Sequence, residues 1–390
     1  MKYNFDKEIN RYNSNSLKYD CARERGVPKD ALPMWVADMD FETAPEILSA
    51  MHKSVDFGIF GYSVPKEEYY ETIIHWFSSH FGWNPKAEWI VKTPGVVFAI
   101  SVALRALTQK GDAVLIQQPV YYPFRAVIED NERICINNPL VCREGHYEMD
   151  FEDMERKIIE NHVKLFILCS PHNPVGRVWS REELIRVIDI CKRHNVFIIS
   201  DEIHCDFTYP GHVHTVLALL AEDYLDKMII CTSPSKSFNL AGLQLSHIFI
   251  PDRAVRGKFK KELSAVAYDE SGTLALVAAK AAYESGGEWL AELKQYLFDN
   301  LKFLRGFLSE YMPKVKLIEP EGTYLVWLDF SACVESPEEL KDKMLNKAKI
   351  WLDDGTMFGE EGACFERINI ACPRTILIRA LEQMKDVFGK

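Results

Sequence analysis

Thr232-Ser233-Pro234-Ser235-Lys236-Ser237-Phe238-Asn239 follows the short apolar run Met228-Ile229-Ile230-Cys231. The run reads as a buried strand, which places Lys236 on the loop leaving that strand's carboxyl end. An amine held against a low-dielectric wall beside another positive centre loses its proton more readily and becomes a nucleophile able to form a Schiff base with an aldehyde. Ser233 and Ser235 flank it with hydroxyls that can bond phosphate oxygens, as can the N–H groups of the loop. Such a loop suits a phosphorylated aldehyde.

The same pattern, an apolar strand that gives out at a polar residue, recurs along the chain. Lys164 to Cys169 leads into Ser170-Pro171-His172-Asn173-Pro174-Val175-Gly176, and Val196 to Ser200 leads into Asp201. Trp89 to Lys92 leads through Thr93-Pro94-Gly95 into an amphipathic helix that closes before Gly111. Ala113 to Gln117 precedes Pro119-Val120-Tyr121-Tyr122-Pro123 and a helix to about Glu129. A further helix is expected from about Phe151 to Asn161, and Ser180 with Glu183 forms a capping box for one ending near His194. Apolar runs joined through helices predict an α/β fold with a mostly parallel sheet covered on both faces. Ligands of such sheets bind outside the carboxyl ends of the strands. That rule gathers Gly95, Asn173, Asp201 and Lys236 into one site.

Outside the alternating region, a helix is expected from Pro45 through Val55. Another spans about 66 to 81, with Tyr70, Ile73, Ile74, Phe77 and Phe81 on one face and Gly82 ending it. Long helices are expected over about 253 to 285, and Gly286-Gly287 marks a boundary. The remainder mixes helices with strands at Thr323 to Phe330 and Arg367 to Ile370. The chain therefore divides into a large domain over 46–286 and a smaller α+β domain made of 287–390 with the N-terminal segment 1–45. A length of 390 residues accommodates two such cores.

Composition narrows the partners. Hydrophobic residues make up 47% and charged residues 26%, an ordinary globular balance. The net charge is −11 and no basic run occurs, which argues against a nucleic-acid partner. The amino terminus is polar and no apolar run approaches the ~18 residues of a membrane span, so a cytoplasmic location is expected. Ten cysteines occur without a Cys-x-x-Cys, and Cys135, Cys169, Cys191 and Cys231 stand inside apolar runs, which reads as buried thiols with no metal site. His212-Val213-His214 reads as a loop feature.

Pyridoxal phosphate chemistry asks for the residue types gathered at the strand ends. A buried carboxylate such as Asp201 keeps the ring nitrogen protonated, Asn173 can donate to the phenolate oxygen, and Tyr121 can stack on the ring. Gly95 lets an anion approach the first turn of the helix that follows it.

With these residues in place, the chain resembles the fold-type I pyridoxal phosphate enzymes of the class I/II aminotransferase group over essentially its whole length. Within that group it is similar to the MalY/PatB-type cystathionine β-lyases, also called cysteine-S-conjugate lyases. The likeness is carried by Pro33-Met34-Trp35-Val36-Ala37-Asp38-Met39-Asp40-Phe41 and by Ser170 to Trp179. It is carried further by Ser200-Asp201-Glu202-Ile203-His204-Cys205-Asp206, the lysine loop, and Arg367-Ile368-Asn369-Ile370-Ala371-Cys372-Pro373-Arg374.

The resemblance implies an aspartate aminotransferase-like large domain. It implies that Lys236 carries the cofactor, that Asp201, Asn173 and Tyr121 contact its ring, and that Gly95, Val96, Ser233 and Ser235 surround its phosphate. It places His204 at the cofactor where aminotransferases commonly carry tyrosine, and Gln244 where many carry a phosphate-binding arginine. Arg374 is expected to grip the substrate α-carboxylate, with Asn173 and Ala37 beside it. Tyr62 is expected to reach the partner subunit's phosphate, making the active unit a homodimer. The implied activity is cleavage of L-cystathionine or related L-cysteine conjugates to a thiol, pyruvate and ammonia. The alternatives are an aminotransferase acting on an L-amino acid, and a cofactor-holding regulatory or interaction protein.

Overall fold

The computed structural model describes residues 2–389. Seven strands form the larger sheet: β1 (Ile90–Thr93), β2 (Ala113–Ile116), β3 (Ile134–Asn137), β4 (Leu165–Cys169), β5 (Phe197–Asp201), β6 (Met228–Thr232) and β7 (Ser246–Phe249). Their spatial order is β1-β7-β6-β5-β4-β2-β3. Strand β7 is antiparallel to both neighbours, and the other pairs are parallel. The sheet is thus mostly parallel, as expected, with one reversal. That reversal arises because β7 returns directly after the lysine loop instead of crossing over through a long helix.

Alternation along the strands feeds two apolar layers. Leu115, Phe166, Leu168, Ile198, Ile230 and Phe249 face one core, while Val114, Ile167, Ile199, Ile229, Cys231 and Ile248 face the other. Burial on both faces is why these strands read as uninterrupted apolar runs.

A second, antiparallel sheet contains β8 (Lys316–Ile318), β9 (Leu325–Asp329), β10 (Asp353–Asp354) and β11 (Phe365–Asn369), in the order β8-β9-β11-β10. The N-terminal segment joins this part of the molecule, because Leu32–Pro33 pairs in parallel with Ile350–Trp351. It then runs on as a strap whose carbonyls are tied down one after another. Asn369 Nδ2 donates to the carbonyls of Val36 and Asp38, both at 2.6 Å. Asn239 Nδ2 donates to those of Met39 and Phe41 at 3.0 and 2.9 Å. Beneath the strap, Lys18 is fully buried and its ammonium donates to Asp40 at 2.8 Å, with Arg11 holding Asp38 and Asp40 from the other side.

Helix ends follow the sequence signals. The helix Arg181–Arg193 carries the complete Ser180/Glu183 capping box, a device worth about 1 kcal/mol. The helix Glu67–Phe81 stops at Gly82, whose φ of 67° suits a residue without Cβ. Its buried face is Tyr69, Ile73, Trp76 and Phe77, rotated slightly from the expected one because the Tyr69 hydroxyl bonds His247 at 2.7 Å. The expected helical stretch 253–285 is two helices, Arg253–Ala265 and Thr273–Ser285, and Gly286 passes straight into the 25-residue helix Gly287–Tyr311. Among the described residues, no helix is long and apolar enough to cross a membrane.

Candidate active site

Six parallel strands present their carboxyl ends at one edge of the large sheet, and β7 brings its amino end there. A cavity of about 200 Å³ opens at this edge. Gly95, Asn173, Asp201 and Lys236, selected from sequence by the strand-end rule, all line it, as do Val96, Tyr121, His204, Ser233, Ser235 and Ala37.

Asp201 is the last residue of β5 and is fixed by the ladder on both sides, opposite Cys169 and Cys231. Its Oδ1 accepts from the N–H of Ile203 at 3.1 Å. Burial pushes its carboxyl up to about 7, opposed by that hydrogen bond and by the Lys236 ammonium. A cation placed against the carboxylate would reverse the effect of burial.

Lys236 Nζ donates to the Ala37 carbonyl at 2.8 Å, and the Tyr324 hydroxyl donates to the same oxygen at 3.0 Å. Desolvation lowers the amine to about 8; Asp38 and Asp201 oppose that effect, and Arg367 reinforces it. Holding the amine near 8 instead of 10.5 makes its neutral, nucleophilic form roughly 300-fold more abundant at neutral pH. His204 is buried against the Tyr324 ring at 5.8 Å and is kept neutral by burial and by the charges of Lys236 and Arg367.

The helix Val96–Leu107 begins at the cavity wall, so the N–H groups of its first turn, at Val96, Val97 and Phe98, point where an anion can sit. A Cβ at Gly95 would meet no atom within 4 Å, because that side of the residue is open. Ser233 is committed to the loop itself: its hydroxyl donates to the Leu245 carbonyl at 2.7 Å and accepts from the N–H of Ser235 at 3.1 Å. Ser235 is thereby oriented at the cavity. Gln244 is exposed, with φ 54°, and does not line the cavity.

Asn173 comes from the loop after β4, held by two neighbours. His172, neutral at about 4 through burial, bonds the Pro119 carbonyl at 2.9 Å. Gly176 adopts φ +74° and accepts on its carbonyl from the N–H groups of Glu321 and Gly322, both at 2.9 Å, where a Cβ would collide with Pro320 at 2.7 Å. Asn173 Oδ1 accepts from Arg367 at 2.8 Å.

Arg367 is the functional group missed from sequence. It is 2% exposed and also donates to the Trp35 carbonyl at 3.2 Å and to Asp353, yet its Nε is buried without a partner among the described residues. A guanidinium so placed can take a carboxylate.

The structure sets Arg374 elsewhere, which corrects its expected place at the substrate. It opens the helix Arg374–Phe388, its Nε donates to Asn300 at 2.7 Å, and its guanidinium lies over Phe303 at 4.7 Å. The chain has left the sheet five residues earlier, at Asn369, and turned away. Strand alternation from Arg367 through Asn369 was the signal that separates the two arginines. Tyr62 is 95% exposed and lies outside the cavity of its own chain. It borders a groove of about 760 Å³ with Phe60, Leu243 and residues 270–275, next to exposed Phe57, Ile59 and Val64.

Comparison with known proteins places this geometry among relatives. The model of the family "Aminotransferase class I and II" matches residues 30–383. The chain is 44% identical to cystathionine beta-lyase PatB of Bacillus subtilis (strain 168) over 98% of this chain and 99% of that protein. Its fold matches cystalysin from Treponema denticola, whose crystal structure contains a pyridoxal 5'-phosphate cofactor, with a TM-score of 0.96 at 37% identity over 99% of both chains. A protein from Clostridium difficile 630, described as an aminotransferase and solved with the same cofactor bound, matches with a TM-score of 0.96 at 42% identity, over 99% of this chain and 100% of that one.

Proposed function

Because the chain belongs to the aminotransferase class I and II family, we propose that it is a pyridoxal phosphate-dependent carbon–sulfur β-lyase, acting on L-cystathionine or a related L-cysteine conjugate. The observation that carries the proposal is one cavity at the strand ends lined by a lysine amine held near 8, a buried aspartate and Asn173, whose amide oxygen is held by Arg367. The PatB and cystalysin likenesses favour the lyase branch.

The residues present fit the cofactor. The open side of Gly95 and the first-turn N–H groups from Val96 make a phosphate cradle, to which Ser235 adds a hydroxyl. Asp201, costly as a lone buried carboxylate, suits a protonated pyridine nitrogen. Asn173 turns its amide nitrogen toward the space left once Arg367 has taken its oxygen, and Tyr121 supplies a ring face. When bound, pyridoxal phosphate supplies an electron sink for a bond broken at the substrate Cα.

The chain's own residues do the rest. Arg367, with its unpaired Nε, and Asn173 orient the substrate α-carboxylate. Lys236 Nζ would hold the cofactor covalently and, as a free amine, would take the Cα proton, with the Ala37 carbonyl keeping that amine in place. With sulfur on Cβ, the thiolate then leaves, and hydrolysis gives pyruvate and ammonia.

The same reading includes a cytoplasmic homodimer. The exposed apolar run from Phe57 to Val64 supports association through that face, with Tyr62 reaching the partner subunit's phosphate. It also includes two domains, 46–286 and 1–45 with 287–390, of which Met1 and Lys390 lie outside the described residues. The seven-stranded sheet lies wholly in the first and the four-stranded sheet in the second. The test is incubation with L-cystathionine without a keto-acid acceptor. Release of pyruvate and thiol is expected, whereas strict dependence on the acceptor would make the protein an aminotransferase.

A further inference from the structure

At the edge of the small sheet, lined by Trp35 and Asp353, which both bond Arg367, lies a second cavity of about 350 Å³. One wall is the stacked pair Trp35 and Trp351, with ring centroids 4.3 Å apart and planes at 16°. Val27, Met344, Leu345, Leu352 and Met357 make the rest of its apolar lining.

Two ionisable side chains that line this space, Glu366 and Arg25, make no ion pair among the described residues. Glu366 is 3% exposed, yet among the described residues its carboxyl makes neither an ion pair nor a hydrogen bond. Strand alternation accounts for its direction: Arg367 and Asn369 reach Asn173 and the strap at Val36 and Asp38, while Glu366, the residue before Arg367, turns to the other face of the strand, opposite Asp354. Burial, with Asp354 and Asp353 nearby, pushes its carboxyl well above the ordinary range, and only the exposed Lys341 opposes this. Arg25 lays its guanidinium over the Trp35 ring at 4.7 Å, and no carboxylate lies within 4.0 Å of it among the described residues. An unpartnered buried carboxyl is unfavourable until a donor reaches it.

We infer that this cavity binds a free α-amino acid with an apolar or thioether side chain, its ammonium on Glu366, its carboxylate on Arg25 and its side chain against the tryptophans and methionines. The lining selects a zwitterion. A bare amine would leave the cations Arg25 and Lys341 unused, and a bare carboxylate would face Asp353, Asp354 and Glu366. The volume falls at the small end of the range for small-molecule pockets. Occupancy bears on the active site through two shared residues: the Trp35 ring walls the cavity while its carbonyl accepts from Arg367, and Asp353 lines it while pairing with Arg367. Binding stands independently of the lyase reading, and only the expected change in KM rests on it.

The test uses holoenzyme reduced with borohydride, so that no amino acid can react at Lys236. Calorimetric titration with L-methionine and L-norleucine should show one binding event, weakened about tenfold or more in Glu366→Gln and in Arg25→Met. Butylamine and butyrate should bind at least about tenfold more weakly than norleucine. In unreduced enzyme, norleucine should change KM for L-cystathionine about fivefold or more in the wild type beyond its effect on Glu366→Gln. Without added amino acid, that variant should match wild-type kcat/KM. Absence of binding through the millimolar range, or binding untouched by both substitutions, would overturn the site. Arg25 is exposed, so its variant tests the site even where Glu366→Gln fails to fold. If binding persists in a protein that lacks lyase activity, the second site stands and the lyase reading falls.

Discussion

Replacing Arg367 with lysine separates the two arginines of the Arg367-to-Arg374 stretch. The substitution keeps a positive charge beside Asp353, so the buried carboxylate is not left alone. It removes the planar fork that reaches Asn173, Asp353 and the Trp35 carbonyl at once while leaving Nε free. A single ammonium cannot serve Asp353 and also reach the amide and the substrate carboxylate. Loss of one charge-assisted hydrogen bond amounts to about 1.5–3 kcal/mol, so kcat/KM for L-cystathionine should fall roughly 10- to 150-fold. The effect belongs mainly in KM, because the carboxylate is held alike before and during reaction. Arg374→Lys loses a bond to Asn300 and the guanidinium stacked over Phe303, both away from the active-site cavity, and should change kcat/KM by less than about twofold. The assay is steady-state pyruvate release, with cofactor content checked by absorbance. A normal Arg367→Lys enzyme beside a crippled Arg374→Lys enzyme would refute the assignment.

Three further outcomes follow from the same geometry. In cofactor-free protein the folded Asp201 carboxyl keeps its proton up to about 7, whereas the unfolded chain releases it near 3.8. Stability should therefore fall as pH rises through that window, by up to about 4 kcal/mol, and Asp201→Asn should flatten the profile in urea melts between pH 4 and 8; an unchanged slope would contradict this. Cofactor uptake by the same protein should accelerate as pH rises through about 8, where the Lys236 amine becomes neutral, and a rate that keeps climbing only toward 10.5 would contradict the depressed value. If Tyr62 acts across a dimer interface, mixing Tyr62→Ala and Lys236→Ala subunits should restore activity that neither parent shows, because one site of each hybrid is intact; no recovery from a demonstrably mixed dimer counts against the interface role.

Much of this architecture could be read directly from residue order. Strands β4, β5 and β6 are buried on both faces, so each reads as an apolar run, and the residue where the run stops is the one that meets ligand. That is why Asn173, Asp201 and Lys236 were found together. Arg367 was harder, since it lies within a strand and is recognisable only by which face it shares with Asn369. Arg374, more conspicuous after Pro373, instead begins a helix. Glu366 reads in sequence as an ordinary polar position of a half-exposed strand. Its burial depends on pairing with Asp354 and on the cavity wall that includes Lys341 and Met344, contacts that no local pattern encodes. More than one helix was expected over 253–285, but the position of the break at 266–272 was not legible, because both flanking segments are strongly helical and Gly272 alone marks the restart. Ser233 illustrates a third limit: residue type announced a hydroxyl beside the phosphate site, but the fold uses it to brace the lysine loop against Leu245.

The most direct measurement is to reduce the pyridoxal phosphate-loaded protein with borohydride, digest it and locate the pyridoxyl group by mass spectrometry. The account requires the modification on the peptide that spans residues 228–239, at Lys236 alone. A modification on any other lysine, or a fully loaded protein that takes up none, would contradict it.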